Sequence, residues 1–205
     1  MKKFFAAMLS AALLLSLLAS CKANLVTLTY EDGQLVNKRA GLAYTPAPLN
    51  YEPASVGEEY AYYKKADMTL YEIVGLDPRQ WLTEEYAGTA TTIFHASDIT
   101  LPTLRGMEPD KFYICISSTR TVSLATVEDA EVIAALIDLY ENGEETEYPL
   151  AGATATYELK FHSEAYPNLY YNLNLGVFPE GNFIYDRQSK RSVELGGLLA
   201  PWIGE

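Results

Sequence analysis

Apolar and polar residues alternate along much of the chain from residue 24 onward, with the period of two that is typical of β-strands. Asp32-Gly33 follows the first such segment and is a strong signal for a hairpin turn. The prolines between residues 46 and 58 predict an irregular connection. The segments with strand period, or rich in β-branched and aromatic residues, are 24–30, 58–63, 68–74, 89–96, 111–118, 121–126, 154–162, 169–178 and 183–187.

The last three predicted strands follow one another with short connections. In residues 154–162 and 169–178 the alternation places apolar residues on one face and polar residues on the other. This pattern predicts an antiparallel meander that is covered on one side and open to solvent on the other.

Residues 127–142 have the period of an amphipathic helix. Thr126 is a suitable N-cap, and Asn142-Gly143 is a suitable end. The apolar arc of this helix consists of Val132, Ile133, Leu136, Ile137, Leu139 and Tyr140. We expect the arc to pack on the sheet, so that the helix covers the meander.

A shorter helix is predicted at 77–88, because Asp77 can accept from the free amides of a first turn and Pro78 fits the first helical position. The fold class that follows is α+β: an antiparallel sheet ending in the C-terminal meander, covered by one long amphipathic helix, with one short helix in addition. The 184 residues after Cys21 suffice for a single domain, 21–205, with any subdivision expected near 105–110.

The first 21 residues have a different character. Lys2 and Lys3 precede an uncharged and mostly apolar stretch, whose apolar block is shorter than the about 20 residues that a spanning helix needs. The stretch ends in Leu-Ala-Ser-Cys at residues 18–21, and this ending resembles the lipobox of bacterial lipoproteins.

The resemblance implies that the Cys21 thiol receives a diacylglycerol and that a lipoprotein signal peptidase removes residues 1–20. Cys21 would then be the first residue of the mature protein. Fatty acyl chains such as palmitate would hold it on the extracytoplasmic face of a bacterial cell membrane. The alternative is an uncleaved N-terminal anchor, for which the apolar block is short.

The charge of the chain bears on its partners. There are 15 basic and 27 acidic residues, and loss of Lys2 and Lys3 with the signal would leave 13 basic residues and a formal charge of −14. Such a surface is repelled by phosphate backbones and anionic lipid head groups, which argues against nucleic acid as a partner. We expect a monomer that acyl chains hold at the membrane without electrostatic help.

Few residues point to catalysis. Sequence motifs of nucleophilic, zinc and nucleotide sites are absent, and the two histidines, His95 and His162, are far apart in the chain. Cys115 has no internal partner once Cys21 is lipidated, and its apolar neighbours predict a small buried hydrophobe. The acidic run 141–147 lacks the spacing of a calcium loop. We therefore predict no cofactor, no metal and no enzymatic activity.

Tyrosine is unusually frequent, with 16 in 205 residues. It is a good strand residue, but it is also favoured at recognition surfaces and for stacking on sugars. The polar face of the meander combines tyrosine with hydrogen-bonding groups and is the candidate binding face, although a face that meets only solvent would show the same pattern. Its members are Glu158, Lys160, His162, Tyr170, Asn172 and Asn174.

The leading hypothesis is a lipid-anchored, non-catalytic binding module of the bacterial cell envelope, with an envelope protein, peptide or glycan as its partner. One alternative rests on the charge alone and is an acidic inhibitor or decoy of a basic extracytoplasmic enzyme. Another alternative is a hydrolase whose catalytic residues come together only in the folded chain.

Overall fold

A computed structural model describes residues 25–85, 92–117, 121–149 and 151–203. The lipidation predicted at Cys21 and the end of the helix predicted at 77–88 lie outside these residues. The described chain is mostly β, with 48% of it in strands and 14% helical. The predicted α+β class is therefore wrong.

The strands in the described part of the chain are β1 (Val26–Glu31), β2 (Gln34–Asn37), β3 (Leu42–Pro46), β4 (Tyr51–Pro53), β5 (Val56–Tyr63), β6 (Met68–Ile73), β7 (Trp81–Glu84), β8 (Ile93–Ala96), β9 (Lys111–Ser117), β10 (Thr121–Val127), β11 (Ala155–His162), β12 (Leu169–Phe178), β13 (Gly181–Tyr185) and β14 (Ser192–Glu194). The helices are α1 (Ala130–Asn142) and the short α2 (Ala200–Ile203). Single 3-10 turns form at Lys64–Ala66 and Arg105–Met107.

A closed barrel of seven strands takes up the N-terminal part of the chain, in the order β1-β2-β3-β8-β7-β6-β5. Its neighbouring strands are antiparallel except β1 and β5, whose parallel pairing closes the barrel. The hairpin predicted at Asp32-Gly33 is confirmed, since the φ angles of 50° and 85° suit a type I′ turn. The side chains buried in the interior are Leu28, Leu35, Tyr44, Ala61, Leu70, Leu82 and Phe94.

The short helix predicted at 77–88 is wrong, because its central residues form strand β7. The helix-start signal at Asp77-Pro78 produces only a single turn of the backbone before strand β7 begins. The Asp77 side chain accepts a hydrogen bond from the Arg79 amide, and the Asp77 carbonyl accepts one from the Trp81 amide, each at 2.9 Å.

The physical reason for strand β7 is burial on both of its faces. Leu82 belongs to the barrel interior, whereas its neighbour Trp81 belongs to the core outside the barrel. A surface helix has one buried stripe and does not bury adjacent residues on opposite sides, whereas a strand between two layers does. Tertiary packing therefore overrides the local helix signal.

The second sheet has the strand order β10-β9-β11-β12-β13-β14, and β4 also pairs with β12. The strands predicted as a meander form its antiparallel β11-β12-β13 part. Strand β4 lies inside the stretch 46–58 that was predicted to be irregular, and it leads the chain from the barrel to this sheet. One face of the sheet packs against α1 and the barrel; we call the opposite side the outward face.

Helix α1 contacts β9 and β14 and buries Ile133, Leu136 and Ile137, all of them from the predicted apolar arc. The predicted N-cap is wrong: Thr126 belongs to β10, and the side chain of Asp129 caps the helix instead. The helix does not cover the whole structure, because the barrel buries its apolar side chains by closing on itself. For this reason the architecture is not that of one sheet under one helix.

The main hydrophobic core joins the two parts of the molecule. Barrel residues such as Trp81 and Ile93 pack in one cluster with residues of the second sheet such as Phe112 and Phe161. On the other side of the sheet, residues 47–49 and Ile93 of the barrel region reach the edge of the polar face.

Candidate functional site

The six residues of the candidate binding face lie together on the outward face of the second sheet. Glu158 is opposite Asn174 and Lys160 is opposite Asn172 in the register of β11 and β12, so their side chains project from the same side. The rings of His162 and Tyr170 extend this row, with their centroids 6.4 Å apart.

Glu52 completes the face and was missed in the sequence. It lies on the short strand β4, which pairs with β12 and places Glu52 opposite Tyr170. Its two carboxylate oxygens accept hydrogen bonds from Lys160 Nζ at 2.6 and 2.7 Å. No local signal marks this residue, because a proline-rich connection shows no strand period.

Lys160 is buried, with only 5% of its surface exposed. An ammonium group at this depth needs a counter-charge, because a buried charge without a partner costs several kcal/mol. Glu52 supplies that charge, and Glu158 Oε2 lies 3.6 Å from Lys160 Nζ. The buried amine is therefore held in place by carboxylates on two strands.

Asn172 adds an unpaired acceptor to this cluster. Its Nδ2 donates a short hydrogen bond to Glu52 Oε2, so its Oδ1 points away from that carboxylate. The Oδ1 atom is buried and accepts no hydrogen bond from any described residue. A buried acceptor without a donor costs about 1–3 kcal/mol, and the buried hydroxyls of Thr146 and Ser192 are likewise unpaired in the described chain.

A pocket of about 290 Å³ opens over this cluster, and we call it the central pocket. Barrel loops and the second sheet both contribute to its wall, so it exists only in the folded chain. Its polar lining includes Glu52, Glu158, Lys160, Asn172 and Arg187, and its apolar lining includes Ala47, Pro48, Leu49, Tyr51 and Ile93.

The lining of the central pocket is balanced in charge. Two carboxylates, Glu52 and Glu158, face two cations, Lys160 and Arg187, so the formal charge of the lining is zero. The chain as a whole has a formal charge of −12, and the pocket therefore differs from the average surface. A neutral polar lining beside an apolar wall suits an uncharged ligand that carries hydroxyl groups.

A second pocket of about 300 Å³, which we call the tyrosine pocket, adjoins the central pocket. Glu158 and Arg187 line both pockets. The rings of Tyr148 and Tyr185 stack beside the tyrosine pocket, with their centroids 4.7 Å apart and their planes 30° apart. Gly176 is needed beneath Tyr148, because any Cβ at that position would clash with the Tyr148 hydroxyl.

The opposite end of the face carries a histidine–carboxylate pair. His162 Nδ1 and Asp110 Oδ1 are 2.6 Å apart. Burial is the largest single influence and acts to raise the pKa of Asp110, but the hydrogen bond with His162, a backbone hydrogen bond and the nearby His162 and Lys111 together outweigh it and leave the pKa below its ordinary value. Such a pair can orient a general base.

Cys115 lies on β9 opposite Glu158, so its side chain is on this same face; it is 3% exposed, which confirms the prediction of a small buried residue. Burial raises the pKa of its thiol. Because the thiolate is the reactive form, a raised pKa disfavours nucleophilic chemistry at this position.

A buried carboxylate, that of Asp186, lies below the end of α1; Asp186 is 3% exposed. Its Oδ1 accepts hydrogen bonds from Asn50 Nδ2 at 2.8 Å and the Gln188 amide at 2.7 Å. Its Oδ2 accepts from the Tyr140 hydroxyl at 2.6 Å and Ser189 Oγ at 2.7 Å. Burial acts to raise the pKa of Asp186, but these hydrogen bonds outweigh it and hold the pKa below its ordinary value.

Arg191 follows the same turn and caps the end of α1. Its Nε donates to the Tyr140 carbonyl at 2.8 Å, and its Nη2 donates to the Gly143 carbonyl at 2.5 Å. The last carbonyls of a helix have no partner within the helix, and a cation is favourable beside them. Asp186 and Arg191 therefore tie α1 to the β13–β14 hairpin.

Three findings complete the description of the site. In the described ranges, no three histidine, cysteine or carboxylate side chains come together as metal ligands. No helix within those ranges is both long and apolar enough to cross a membrane. Comparison of the chain with models of protein families, with curated proteins and with solved structures finds no match.

Proposed function

We propose that the mature chain is a lipid-anchored, non-catalytic binding module on the extracytoplasmic face of a bacterial cell membrane. Its ligand is an uncharged, hydroxyl-rich molecule, a glycan of the cell envelope, which binds in the central pocket. The lipid anchor rests on the resemblance of residues 18–21 to a lipobox. The ligand class rests on the pocket, and above all on the buried, unpaired Oδ1 of Asn172.

The lining matches the chemistry of a sugar. Asn172 lines the central pocket, and a sugar hydroxyl donates to its Oδ1 once a rotation of the side chain exposes this buried, unpaired acceptor. The Glu158 carboxylate accepts from a second hydroxyl, and the Arg187 guanidinium, 60% exposed, donates to a third. The C–H face of the ring meets the apolar wall at Pro48 and Leu49.

The geometry favours a glycan over an extended peptide. Peptides that add to a sheet bind along an edge strand, where main-chain groups are unpaired. The central pocket lies instead on the face of the sheet, over β11 and β12, which both have neighbours on each side. It offers side-chain groups, which suit the many directions in which sugar hydroxyls point.

The neutral lining also separates this proposal from an acidic decoy. A decoy for a basic enzyme needs an excess of carboxylates at the contact, because opposite potentials attract across an interface. In the central pocket each carboxylate is matched by a cation.

A binding experiment tests the ligand class. The full chain, purified in mild detergent, is titrated calorimetrically with neutral oligosaccharides of one to six units that differ in ring stereochemistry. An acidic oligosaccharide and a pentapeptide serve as comparison ligands. We expect a neutral oligosaccharide to bind, Asn172→Ala to abolish that binding, and Asn142→Ala, on the exposed end of α1, to leave it unchanged. The proposal is wrong if no neutral oligosaccharide binds, or if Asn172→Ala binds as well as the unaltered chain.

A labelling experiment tests the anchor. Cells that express the full chain are fed a radioactive fatty acid, and the protein is immunoprecipitated. We expect label in the unaltered chain and none in Cys21→Ala, because the thiol is the acyl acceptor. Cys115→Ala is the matched control and should keep the label. Label in the Cys21→Ala protein would rule out this anchor.

A further inference from the structure

The central pocket and the tyrosine pocket adjoin each other on one face of the sheet. We infer that they are two subsites of one binding site, and that the ligand is a linear glycan of at least two sugar units that extends from the first pocket into the second. This inference rests on the proposed function and specifies the length and the direction of its ligand.

The two pockets are continuous through shared side chains. Glu158 and Arg187 line both, and Arg187 Nη2 lies 3.9 Å from Glu158 Oε1. Asn172 lines the central pocket and Asn174 lines the tyrosine pocket. These two asparagines are two positions apart on β12 and project from the same face, so they are separated by about 7 Å along the strand. The pockets have nearly equal volumes of about 290 and 300 Å³, as expected for two similar units.

The tyrosine pocket has the chemistry of a second sugar subsite. Tyr148 and Tyr185 present aromatic surface with hydroxyl groups, which suits the C–H face and the hydroxyls of a sugar ring. Asn174 and Thr156 add neutral hydrogen-bonding groups, and the charges of Glu158 and Arg187 cancel. Both subsites therefore select the same class of unit, an uncharged sugar.

The direction of the ligand follows from the lining of the two pockets. Tyr113 and Tyr170 form another aromatic pair of the face, with their centroids 5.8 Å apart. They line neither pocket, and the carboxylate of Asp110, the ammonium of Lys111 and the imidazole of His162 lie at their end of the sheet. The path out of the central pocket leads instead past Glu158 and Arg187 to Tyr185.

A matched pair of substitutions tests the two subsites. The full chain and its Asn172→Ala and Asn174→Ala variants are titrated with the neutral oligosaccharide that binds best, and with its one-unit and two-unit forms. We expect two units to bind the unaltered chain more tightly than one. Asn172→Ala should abolish binding of all lengths. Asn174→Ala should weaken binding of two or more units by about tenfold and leave one-unit binding unchanged, because only the second unit reaches it.

The outcomes separate this inference from the proposed function. If Asn172→Ala abolishes binding while Asn174→Ala changes nothing at any length, the ligand is confined to the central pocket and the two-subsite inference is wrong. If no oligosaccharide binds the unaltered chain, the proposed function itself fails.

Should Asn174→Ala melt at a lower temperature than the unaltered chain, Tyr148→Ala replaces it, since Tyr148 lies outside the strands and lines only the tyrosine pocket. Tyr113→Ala serves as its aromatic control and should bind normally.

Discussion

Two buried charged clusters on the same sheet differ in how completely their polar atoms are paired. Around Asp186, both carboxylate oxygens accept hydrogen bonds, and the donors come from the β4 segment, α1 and the β13–β14 turn. Around Lys160, the ammonium is paired with Glu52, but Asn172 Oδ1 is buried without a partner in the described chain. The first cluster is internally complete and the second is not.

The difference indicates two roles. A buried polar network whose members are all satisfied stabilises one arrangement of the elements that it joins. An unpaired acceptor beside a pocket lowers the stability of the free protein, and this cost is removed when a ligand donates a hydrogen bond to it. We therefore assign the Asp186 cluster to the fold and the Lys160 cluster, with the central pocket, to recognition.

The largest expected effect is on the Asp186 cluster. Asp186→Ala removes the acceptor shared by Asn50, Tyr140 and Ser189, and it leaves the buried Asn50 amide and the half-buried Tyr140 hydroxyl without this acceptor. We expect a loss of about 3–5 kcal/mol in the free energy of unfolding, measured by urea denaturation. Glu131→Ala, on the exposed side of α1, should change it by less than about 0.5 kcal/mol. Equal effects of the two substitutions would show that the cluster is not structural.

A smaller loss is expected at the salt bridge of the second cluster. Glu52→Ala leaves the buried ammonium of Lys160 with Glu158 as its remaining counter-charge, so the unfolding free energy should fall by roughly 2 kcal/mol. The double variant Glu52→Ala/Lys160→Met removes the unpaired charge and should recover part of the loss. A double variant less stable than Glu52→Ala alone would contradict this account of Lys160.

The pH dependence of stability sharpens the contrast. The pKa of Asp186 is lower in the folded chain than in the unfolded chain, so the ionised carboxylate stabilises the fold above the unfolded value of about 4. This contribution is lost as the pH falls through the lower, folded value. We expect the stability difference between the unaltered chain and Asp186→Asn to shrink as the pH drops below about 4. A constant difference from pH 7 to pH 2 would mean that the charge of Asp186 is not the cause.

The smallest effect on stability is expected at Asn172. Asn172→Ala loses the hydrogen bond to the Glu52 carboxylate, worth about 1.5–3 kcal/mol, but it also removes a buried acceptor that has no donor, which costs about 1–3 kcal/mol. The two contributions oppose each other, so the unfolding free energy should change by less than about 1 kcal/mol while oligosaccharide binding is lost. A loss of stability as large as that of Glu52→Ala would place Asn172 in the structural framework and remove the distinction between the clusters.

Local pattern was sufficient for strands β9 to β13 of the second sheet, but not for β4 and β14, and it was sufficient for most of the candidate face. Alternation with a period of two places Glu158, Lys160 and His162 on one side of β11, and a short connection pairs this strand with β12. The apolar arc of α1 could also be predicted from the sequence, because apolar residues spaced three and four apart lie on one face of a helix.

The tertiary structure decided what depends on contacts between distant segments. The barrel closes through the parallel pairing of β1 with β5. The alternation of apolar and polar residues within one strand does not indicate which other strand it pairs with. Burial on both faces turned the segment after Asp77 into a strand despite its helix signal. The same holds for Glu52, which reaches Lys160 from 108 positions away because β4 joins the edge of β12. The sequence alone thus determined which residues alternate and which face is polar, since both follow from neighbours along the chain. Only the folded structure decided that the polar face has a pocket with equal numbers of positive and negative side chains, since that requires residues of the barrel and of the sheet to meet.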